Sequence, residues 1–397
     1  GQLDVKLRFY LEDELVRIWK EFKNTIIFIT HNVEEAVYIA ERVLVLTNKP
    51  TTIKTSIHLI IFPNMKILVG LSWGVDSAVS AYLLKQQWHE VVTGFMKNYT
   101  SDSGNCTTYN DSIEAIKVAE HLGIEIRAYD LQKEYQEKVI DYIFDGYQKG
   151  ITPNPDVLCN SLIKFDVFLE KALEKGFDKI AMGHYARITE DENWIFHLLR
   201  GKDYHKDQTY FLSWLNQFQL SKAIFPIWDL EKSQVRQIAK EIWLPNADRP
   251  DSQGLCFIWN VPIKQFLLQK LPIKKGPIKT LDGKTVWEHE GAYFFTIGQK
   301  QGLGLNFKAY VYKIDIENNT VYVGDKEIPE LNSSTISVKN WHRIWEEKAI
   351  GSKLQGKIRY RQNPAVECVL TKKENSDLSF SFSSPQRAIA PGQVFVV

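Results

Sequence analysis

The chain has 397 residues, 44% hydrophobic and 24% charged, with a net charge of +1. That is length for two or three domains and an ordinary globular composition, not a disordered or collagen-like one. It excludes a basic coat over the whole surface but leaves room for a local nucleic-acid face, and four cysteines are too few for a disulfide framework.

Residues 1–55 carry a pattern of their own. Val5 to Phe22 is predicted as a helix and apolar Thr25 to Thr30 as a strand. His31-Asn-Val-Glu-Glu-Ala36 opens a second helix, and Arg42 to Leu46 is a second strand. The segment resembles the C-terminal part of an ABC-transporter ATPase. Gly1-Gln-Leu-Asp4 stands like its D-loop and His31 like its switch histidine. No Walker A loop, signature motif or Walker B carboxylate accompanies it, so the segment is not expected to hydrolyse ATP alone. The first methionine is Met65, and residues 56–64 are expected to be a linker or translated spacer joined to a fragment of another gene.

From Met65 the pattern restarts. Lys66 to Gly70 reads as a buried strand, Gly70-Leu-Ser-Trp-Gly-Val-Asp-Ser77 as a loop, and Ala78 to Gln87 as a helix. Glu90 to Phe95 and Glu125 to Asp130 are strands around a helix at Ile113 to Leu122. Lys179 to Met182 is another short strand, ending at Gly183-His184. Strands alternating with helices predict a parallel sheet covered on both faces. Gly150-Ile-Thr-Pro-Asn-Pro-Asp-Val-Leu-Cys-Asn160 is polar and proline-rich. Residues before proline are biased towards extended backbone, so this stretch is predicted as a shaped loop. Past residue 275 short runs separated by turns predict two small β-rich modules. The runs are Ala292 to Thr296, Thr320 to Gly324, Ile358 to Tyr360 and Val366 to Leu370. No stretch of about 18 apolar residues occurs, so no membrane span is predicted.

Two features carry chemistry. The Ser72 to Ser77 turn follows a strand and opens a helix, where backbone N–H groups and the helix dipole can grip pyrophosphate. It resembles the PP-loop, S-G-G-x-D-S, of ATP pyrophosphatases, except that Trp73 replaces a glycine. An indole there is expected to hinder close approach of backbone to phosphate. Trp88, Trp228, Trp243, Trp259 and Trp287 also stand where turn chemistry and resemblance ask for glycine. Their recurrence leads to the expectation that UGA codons meaning glycine were translated as tryptophan. The second feature is a pair of thiols in polar signatures. Cys159 lies three residues after Asp156, and Cys256 follows Ser252-Gln-Gly254. A thiolate is the nucleophile of sulfur transfer, and two thiols can pass sulfur as a persulfide and finish as a disulfide. Cys368, in V-E-C-V-L, is expected in the core, Cys106 in a loop, and His205 and His342 on the surface. No cysteine–histidine spacing suggests a closed zinc site, and no metal ligands are expected.

From Met65 to Val397 the chain resembles the bacterial tRNA-specific 2-thiouridylase family. The resemblance rests on S-x-G-V-D-S, F-M-K-N, G-I-T-P-N-P-D-V-L-C-N, G-H-Y-A-R, K-D-Q-T-Y-F-L, D-S-Q-G-L-C-F-I, T-I-G-Q-K-Q-G-L-G-L, R-Y-R-Q and A-P-G-Q. It implies an α/β fold with a PP-loop ATP pyrophosphatase (adenine nucleotide alpha hydrolase-like) parallel sheet over residues 65–262. A central β-rich domain over 263–330 and a β-barrel-like domain over 331–397 would follow. It implies ATP and Mg2+, with Gly70, Leu71, Ser72, Trp73, Gly74, Val75, Asp76, Ser77, Met96 and Gly183 at the nucleotide. Cys256 would carry the persulfide, Cys159 would be the second thiol, and Asp156 the acid/base beside the wobble uridine. Asn154 and Pro155 would shape the base pocket. His184, Lys206, Asp207, Gln208, Arg359, Tyr360 and Gln393 would meet tRNA. An upstream persulfide carrier or cysteine desulfurase would be a partner, and the setting cytoplasmic and reducing.

Independently, Lys339, Arg343, Lys348, Lys353, Lys357, Arg359 and Arg361 interleave with Trp341, Trp345 and Tyr360, a mixture suited to phosphate contact and stacking. Three other functions are weighed: an amidating or adenylating PP-loop enzyme that uses no protein sulfur, a tRNA-binding protein disabled at Trp73, and a transport ATPase subunit.

Overall fold

The computed structural model describes residues 15, 25–31, 36, 39–40, 42–47, 51–58, 65–99, 107–250, 262–374 and 377–397. It forms two units, Gly1–Met65 and Lys66–Val397. In the first, β1 (Arg42–Leu46) and β2 (Ile53–His58) pair as an antiparallel hairpin, and β2 reaches into the stretch expected to be a linker. Thr25 to Thr30, predicted as a strand, has no regular structure, and Ile27 and Ile29 are 86% and 92% exposed. An apolar run becomes a strand only where a ladder partner satisfies its backbone, and none pairs with it among the described residues. The predicted helix at Val5 to Phe22, save Leu15, and the D-loop-like residues 1–4 lie outside the described residues.

The second unit opens on an α/β layer. Its strands are β3 (Lys66–Gly70), β4 (Glu90–Lys97), β5 (Glu125–Asp130) and β6 (Lys179–Ala181). A hairpin, β7 (Ala186–Glu190) and β8 (Phe196–Arg200), precedes β9 (Ala223–Ile224). The sheet order is β5-β4-β3-β6-β9 and every neighbouring pair is parallel. Ile67, Leu68 and Val69 on β3 are fully buried, as a parallel strand covered on both faces requires. Leu68, Val92, Tyr129, Phe165 and Phe168 belong to one core; Leu71, Ala78, Val79, Ala115 and Val118 belong to the other. From β3 the chain first builds outwards through β4 and β5, then returns to add β6 and β9 on the other side. The switch point therefore lies between the carboxyl ends of β3 and β6, where open α/β sheets bind ligands.

Helix α1 (Val75–Gln86) begins three residues earlier than predicted, so Val75, Asp76 and Ser77 form its first turn. Helix α2 (Thr107–Leu122) follows. Helix α3 runs through Gln132–Tyr135, a π segment Gln136–Ile140, and Asp141–Gln148. The largest departure from expectation is the proline-rich stretch. It is a loop only as far as Asn154; helix α4 then runs through Pro155–Leu158, a π segment Cys159–Val167, and Phe168–Glu174. Asn154 is the N-cap, its Oδ1 accepting from the Val157 N–H at 3.3 Å, and Pro155 occupies the first helical position. Asparagine at the cap and proline just inside it are helix-start signals, masked here by the second proline. Helix α5 (Lys232–Glu241) packs against α1.

Two four-stranded β sheets complete the chain. One holds β10 (Gly276–Lys279), β11 (Thr285–His289), β12 (Tyr310–Asp315) and β13 (Thr320–Gly324) in the order β11-β10-β13-β12. The other holds β14 (Asn332–Lys339), β15 (Lys353–Gly356), β16 (Val366–Glu374) and β17 (Asp377–Arg387) in the order β14-β17-β16-β15. Two expected strands are something else. Ala292–Phe294 is a 3-10 turn with its aromatics buried, and Ile358 to Tyr360 lies beyond the single bridge Lys357–Val396. The aromatics of the first run and Ile358 of the second are buried by packing without strand pairing. No helix among the described residues is long and apolar enough to cross a membrane.

Candidate active site

The loop after β3 is shaped by its own serines. The Ser72 N–H donates to Ser77 Oγ at 3.1 Å, the two hydroxyls lie 3.1 Å apart, and the Gly74 N–H donates to Ser72 Oγ at 3.1 Å. Gly74 begins α1 without a side-chain cap, which leaves first-turn N–H groups and the dipole of a 12-residue helix for an anion. The Asp76 Oδ1 accepts from Tyr185 Oη at 2.8 Å and from Lys232 Nζ at 2.6 Å. Gly183, at the end of β6, lets the two sides of the crevice meet: a Cβ there would lie 2.7 Å from the Asp76 carbonyl carbon. Met96 and Met182 flank Gly70 in the same way. Trp73 is buried at 8% exposure, its carbonyl accepts from Asn246 Nδ2 at 2.9 Å, and the Arg249 guanidinium lies 4.3 Å from its ring centroid.

Gly183-His184-Tyr185 joins this loop to α4, the helix that carries the thiol. Behind Gly183, the His184 ring packs 6.0 Å from Phe165 of α4 and 5.6 Å from Phe225. Burial holds His184 neutral, far below the usual imidazole range, and the nearby Lys164 cation adds to that. The Tyr185 N–H donates to Gln208 Oε1 at 3.0 Å, and the Gln208 N–H donates back to the Tyr185 carbonyl at 3.2 Å. Past Gln208, Tyr210 Oη donates to the Val394 carbonyl at 2.6 Å, and Tyr360 stacks 4.3 Å from Phe211.

Cys159 stands at the start of the π segment of α4, 2% exposed. Burial pushes its thiol up, with Lys164 pulling back and Asp156 adding to the rise. The loop before it is held by the last domain. The Thr152 N–H donates to the Pro391 carbonyl at 2.8 Å, and Gln393 Nε2 donates to the carbonyls of Thr152 and Pro153 at 3.0 and 3.5 Å. The nine-residue π segment thus begins at the thiol.

Comparison with known proteins bears on this arrangement. Residues 65–260 match the model of a tRNA methyl transferase HUP domain, 264–325 that of a tRNA methyl transferase PRC-barrel domain, and 333–397 that of an aminomethyltransferase beta-barrel domain. The tRNA-specific 2-thiouridylase MnmA of Cupriavidus taiwanensis is 43% identical over 347 residues, covering 84% of this chain and 95% of that protein. The same-named protein of Lacticaseibacillus paracasei is 43% identical over 343 residues, covering 84% and 91%. The chain belongs to the MnmA family. A solved 4-thiouridine synthetase–RNA complex with bound ATP overlaps 64% of this chain and 62% of its own at 15% identity and TM-score 0.34, too low to carry an argument. The ABC-transporter likeness of residues 1–55 is not borne out; the family models begin at residue 65.

Of the MnmA-type site residues expected from sequence, Gly70 to Ser77, Met96 and Gly183 gather at the switch point. Asn154, Pro155, Asp156 and Cys159 share the start of α4. His184 packs against Phe165 of α4, Gln208 is bonded to Tyr185, and Gln393 touches the loop before Asn154. Several are committed to internal contacts. Asp207, 8% exposed, accepts from Thr209 Oγ1 at 2.6 Å and pairs with Arg200 at 3.3 Å and Lys357 at 3.7 Å. Arg359 is exposed and its guanidinium donates to the Arg387 carbonyl; Lys206 is half-buried. The basic run is partly neutralised, with Arg343 on Glu347 at 2.7 Å and Lys348 on Glu346 at 2.6 Å. Cys256 and Cys106 lie outside the described residues. Cys368 is in the core, and His205 and His342 are exposed, His342 Nε2 lying 2.9 Å from the Leu215 carbonyl. Sequence reasoning missed Tyr185 and Lys232, which clamp Asp76, and Tyr210. Tyr185 sits inside the quoted G-H-Y-A-R motif, so its signal was present; Lys232 had none, because only the packing of α5 brings it to the loop.

Proposed function

We propose that this protein uses ATP to replace O2 of the wobble uridine, position 34 of tRNA, with sulfur, as its relatives' name, tRNA-specific 2-thiouridylase, implies. The observation that carries the reading is a buried thiol, Cys159, on α4, the helix whose Phe165 packs against His184, next to Gly183 and the uncapped helix N-terminus at the sheet's switch point. ATP supplies the adenylyl group that makes uridine O2 a leaving group, with pyrophosphate released. The α1 N-terminus and the Ser72 to Ser77 turn fit its phosphates, and Gly70 and Gly183 keep side chains out of that crevice. Asp76 is engaged by Tyr185 and Lys232, and the described residues hold no cluster of three metal-binding side chains. Mg2+ would accompany the phosphates of ATP, as the family resemblance implies.

Cys256, loaded as a persulfide by an upstream carrier or cysteine desulfurase, attacks C2 with its terminal sulfur, and AMP departs with the oxygen. The Cys159 thiolate then attacks the Cys256 sulfur. The S–S bond to the nucleobase sulfur breaks, its electron pair stays on that sulfur, and the products are 2-thiouridine and a Cys159–Cys256 disulfide. An external dithiol restores both thiols. Asp156 moves protons at the uridine, and the base leaves its stack to enter the pocket shaped by Asn154 and Pro155. The work belongs in a reducing cytoplasm, where the thiols persist. Cys159→Ser and Cys256→Ser are expected to abolish thiolation of wobble-uridine tRNA in vitro while ATP binding survives; full activity in both removes the mechanism.

A further inference from the structure

Trp88, Trp194 and Trp243 hold φ angles of 62°, 61° and 58°. This left-handed region is open to glycine and is a genuine outlier for a bulky side chain. Tryptophan supplies three of the six non-glycine residues of positive φ among those described, the others being Asn319, Asn340 and Ala388. The three indoles are 71%, 80% and 82% exposed, so little burial offsets the strained backbone.

Each site repeats a setting that glycine fills elsewhere in the same chain. After α1, the Trp88 N–H donates to the Lys85 carbonyl at 3.1 Å and the His89 N–H to the Leu84 carbonyl at 3.4 Å. After α5, the Trp243 N–H donates to Lys240 at 3.1 Å and the Leu244 N–H to Ala239 at 2.9 Å. This is the Schellman helix end, whose left-handed residue is usually glycine. Three more helices of this chain close with the same pair of bonds. Gly123 reaches Glu120 at 3.0 Å while Ile124 reaches Ala119 at 2.9 Å. Gly150 reaches Tyr147 and Ile151 reaches Gly146, both at 2.9 Å. Gly176 reaches Leu173 at 3.0 Å and Phe177 reaches Ala172 at 3.1 Å. The φ angles of these glycines are 58°, 70° and 76°. Trp194 ends the turn between β7 and β8, its N–H donating to the Asp191 carbonyl at 3.1 Å while the Asp191 N–H donates to Ile195 at 3.0 Å. A left-handed residue closing a hairpin turn is again a glycine position.

We propose that the protein made in its own cell carries glycine at positions 88, 194 and 243, one codon being read there as glycine and written here as tryptophan. The structure divides the tryptophans singled out in the sequence. It supports Trp88 and Trp243 and adds Trp194, whereas Trp73, Trp228 and Trp287 sit in ordinary backbone, Trp73 buried beside Arg249 and Trp228 under Arg187 at 4.6 Å, and Trp259 lies outside the described residues. The test does not involve the enzyme's activity. Peptide mass spectrometry of the protein purified from its source is expected to find a glycine residue mass at all three positions. A tryptophan residue mass at any of them overturns the proposal.

Discussion

Alanine at Gly183 would place its Cβ 2.7 Å from the Asp76 carbonyl carbon, 2.8 Å from the Ser77 nitrogen and 3.0 Å from the Asp76 carbonyl oxygen. All three are backbone atoms of the first turn of α1, so either that turn or the end of β6 must move. Forcing a methyl into packed surroundings costs about 1–3 kcal/mol. Alanine at Gly70 comes closer still, 2.5 Å from Met182 Sδ and 2.8 Å from Met182 Cε. Those atoms are the far end of an unbranched side chain that can swing aside, so the expected cost is below about 1.5 kcal/mol. The nearer clash is therefore the milder substitution. By thermal denaturation, at roughly 2–4 °C per kcal/mol for a domain of this size, Gly183→Ala is expected to lower the midpoint by several degrees and Gly70→Ala by about half as much. By calorimetric titration Gly183→Ala is expected to weaken ATP binding by about tenfold, equivalent to 1.4 kcal/mol. Gly70→Ala proving the more damaging of the two, or Gly183→Ala binding ATP normally at an unchanged midpoint, would refute the packing assigned to the crevice.

Three further outcomes follow from particular contacts. Asn154→Ala removes the cap of α4 and is expected to cost about 1 kcal/mol by urea denaturation and to lower thiolation, because Cys159 rides on that helix; unchanged stability would show that the cap bond is idle. Trp88→Gly and Trp243→Gly are each expected to raise stability by up to about 1 kcal/mol, the relief of a left-handed side chain less glycine's extra chain entropy; a fall in either midpoint would show that the strain is absent. His184 is buried neutral with its pKa pushed well down, while in the unfolded chain it takes a proton below about 6.5. Its contribution is thus complete above that pH and lost as pH falls further, and His184→Gln is expected to remove up to about 1.4 kcal/mol per pH unit from the acid-side slope; equal slopes measured between pH 7 and 5 would contradict this.

The alternation of apolar strands and helices was legible because β3 is buried on both faces, so its composition alone marks it. The phosphate turn was legible for the same local reason: strand, serine–glycine turn and helix are contiguous in sequence. What could not be read were the effects of partners far away. Thr25 to Thr30 has a strand's composition but no ladder partner among the described residues, and Ala292 to Thr296 has the aromatic content of a strand but packs as a turn. Lys232 reaches Asp76 across 156 residues, a contact that no local pattern encodes. Trp88 and Trp243 were legible as places where turn chemistry asks for glycine, whereas Trp194 emerges only from its backbone angle.

Gln393 shows how the site is divided between distant parts of the chain. Resemblance placed it at tRNA, yet its Nε2 donates to the carbonyls of Thr152 and Pro153, 241 and 240 residues away. Those carbonyls immediately precede Asn154, the cap from which α4 starts. Gly392 permits this contact, because a Cβ there would fall 2.1 Å from Ile151 Cγ2 and 2.9 Å from the Thr152 carbonyl oxygen. The turn of the last domain therefore braces the loop that leads into α4, the helix that carries Cys159. Docking of the last domain is thus tied to the position of the loop that leads to the thiol.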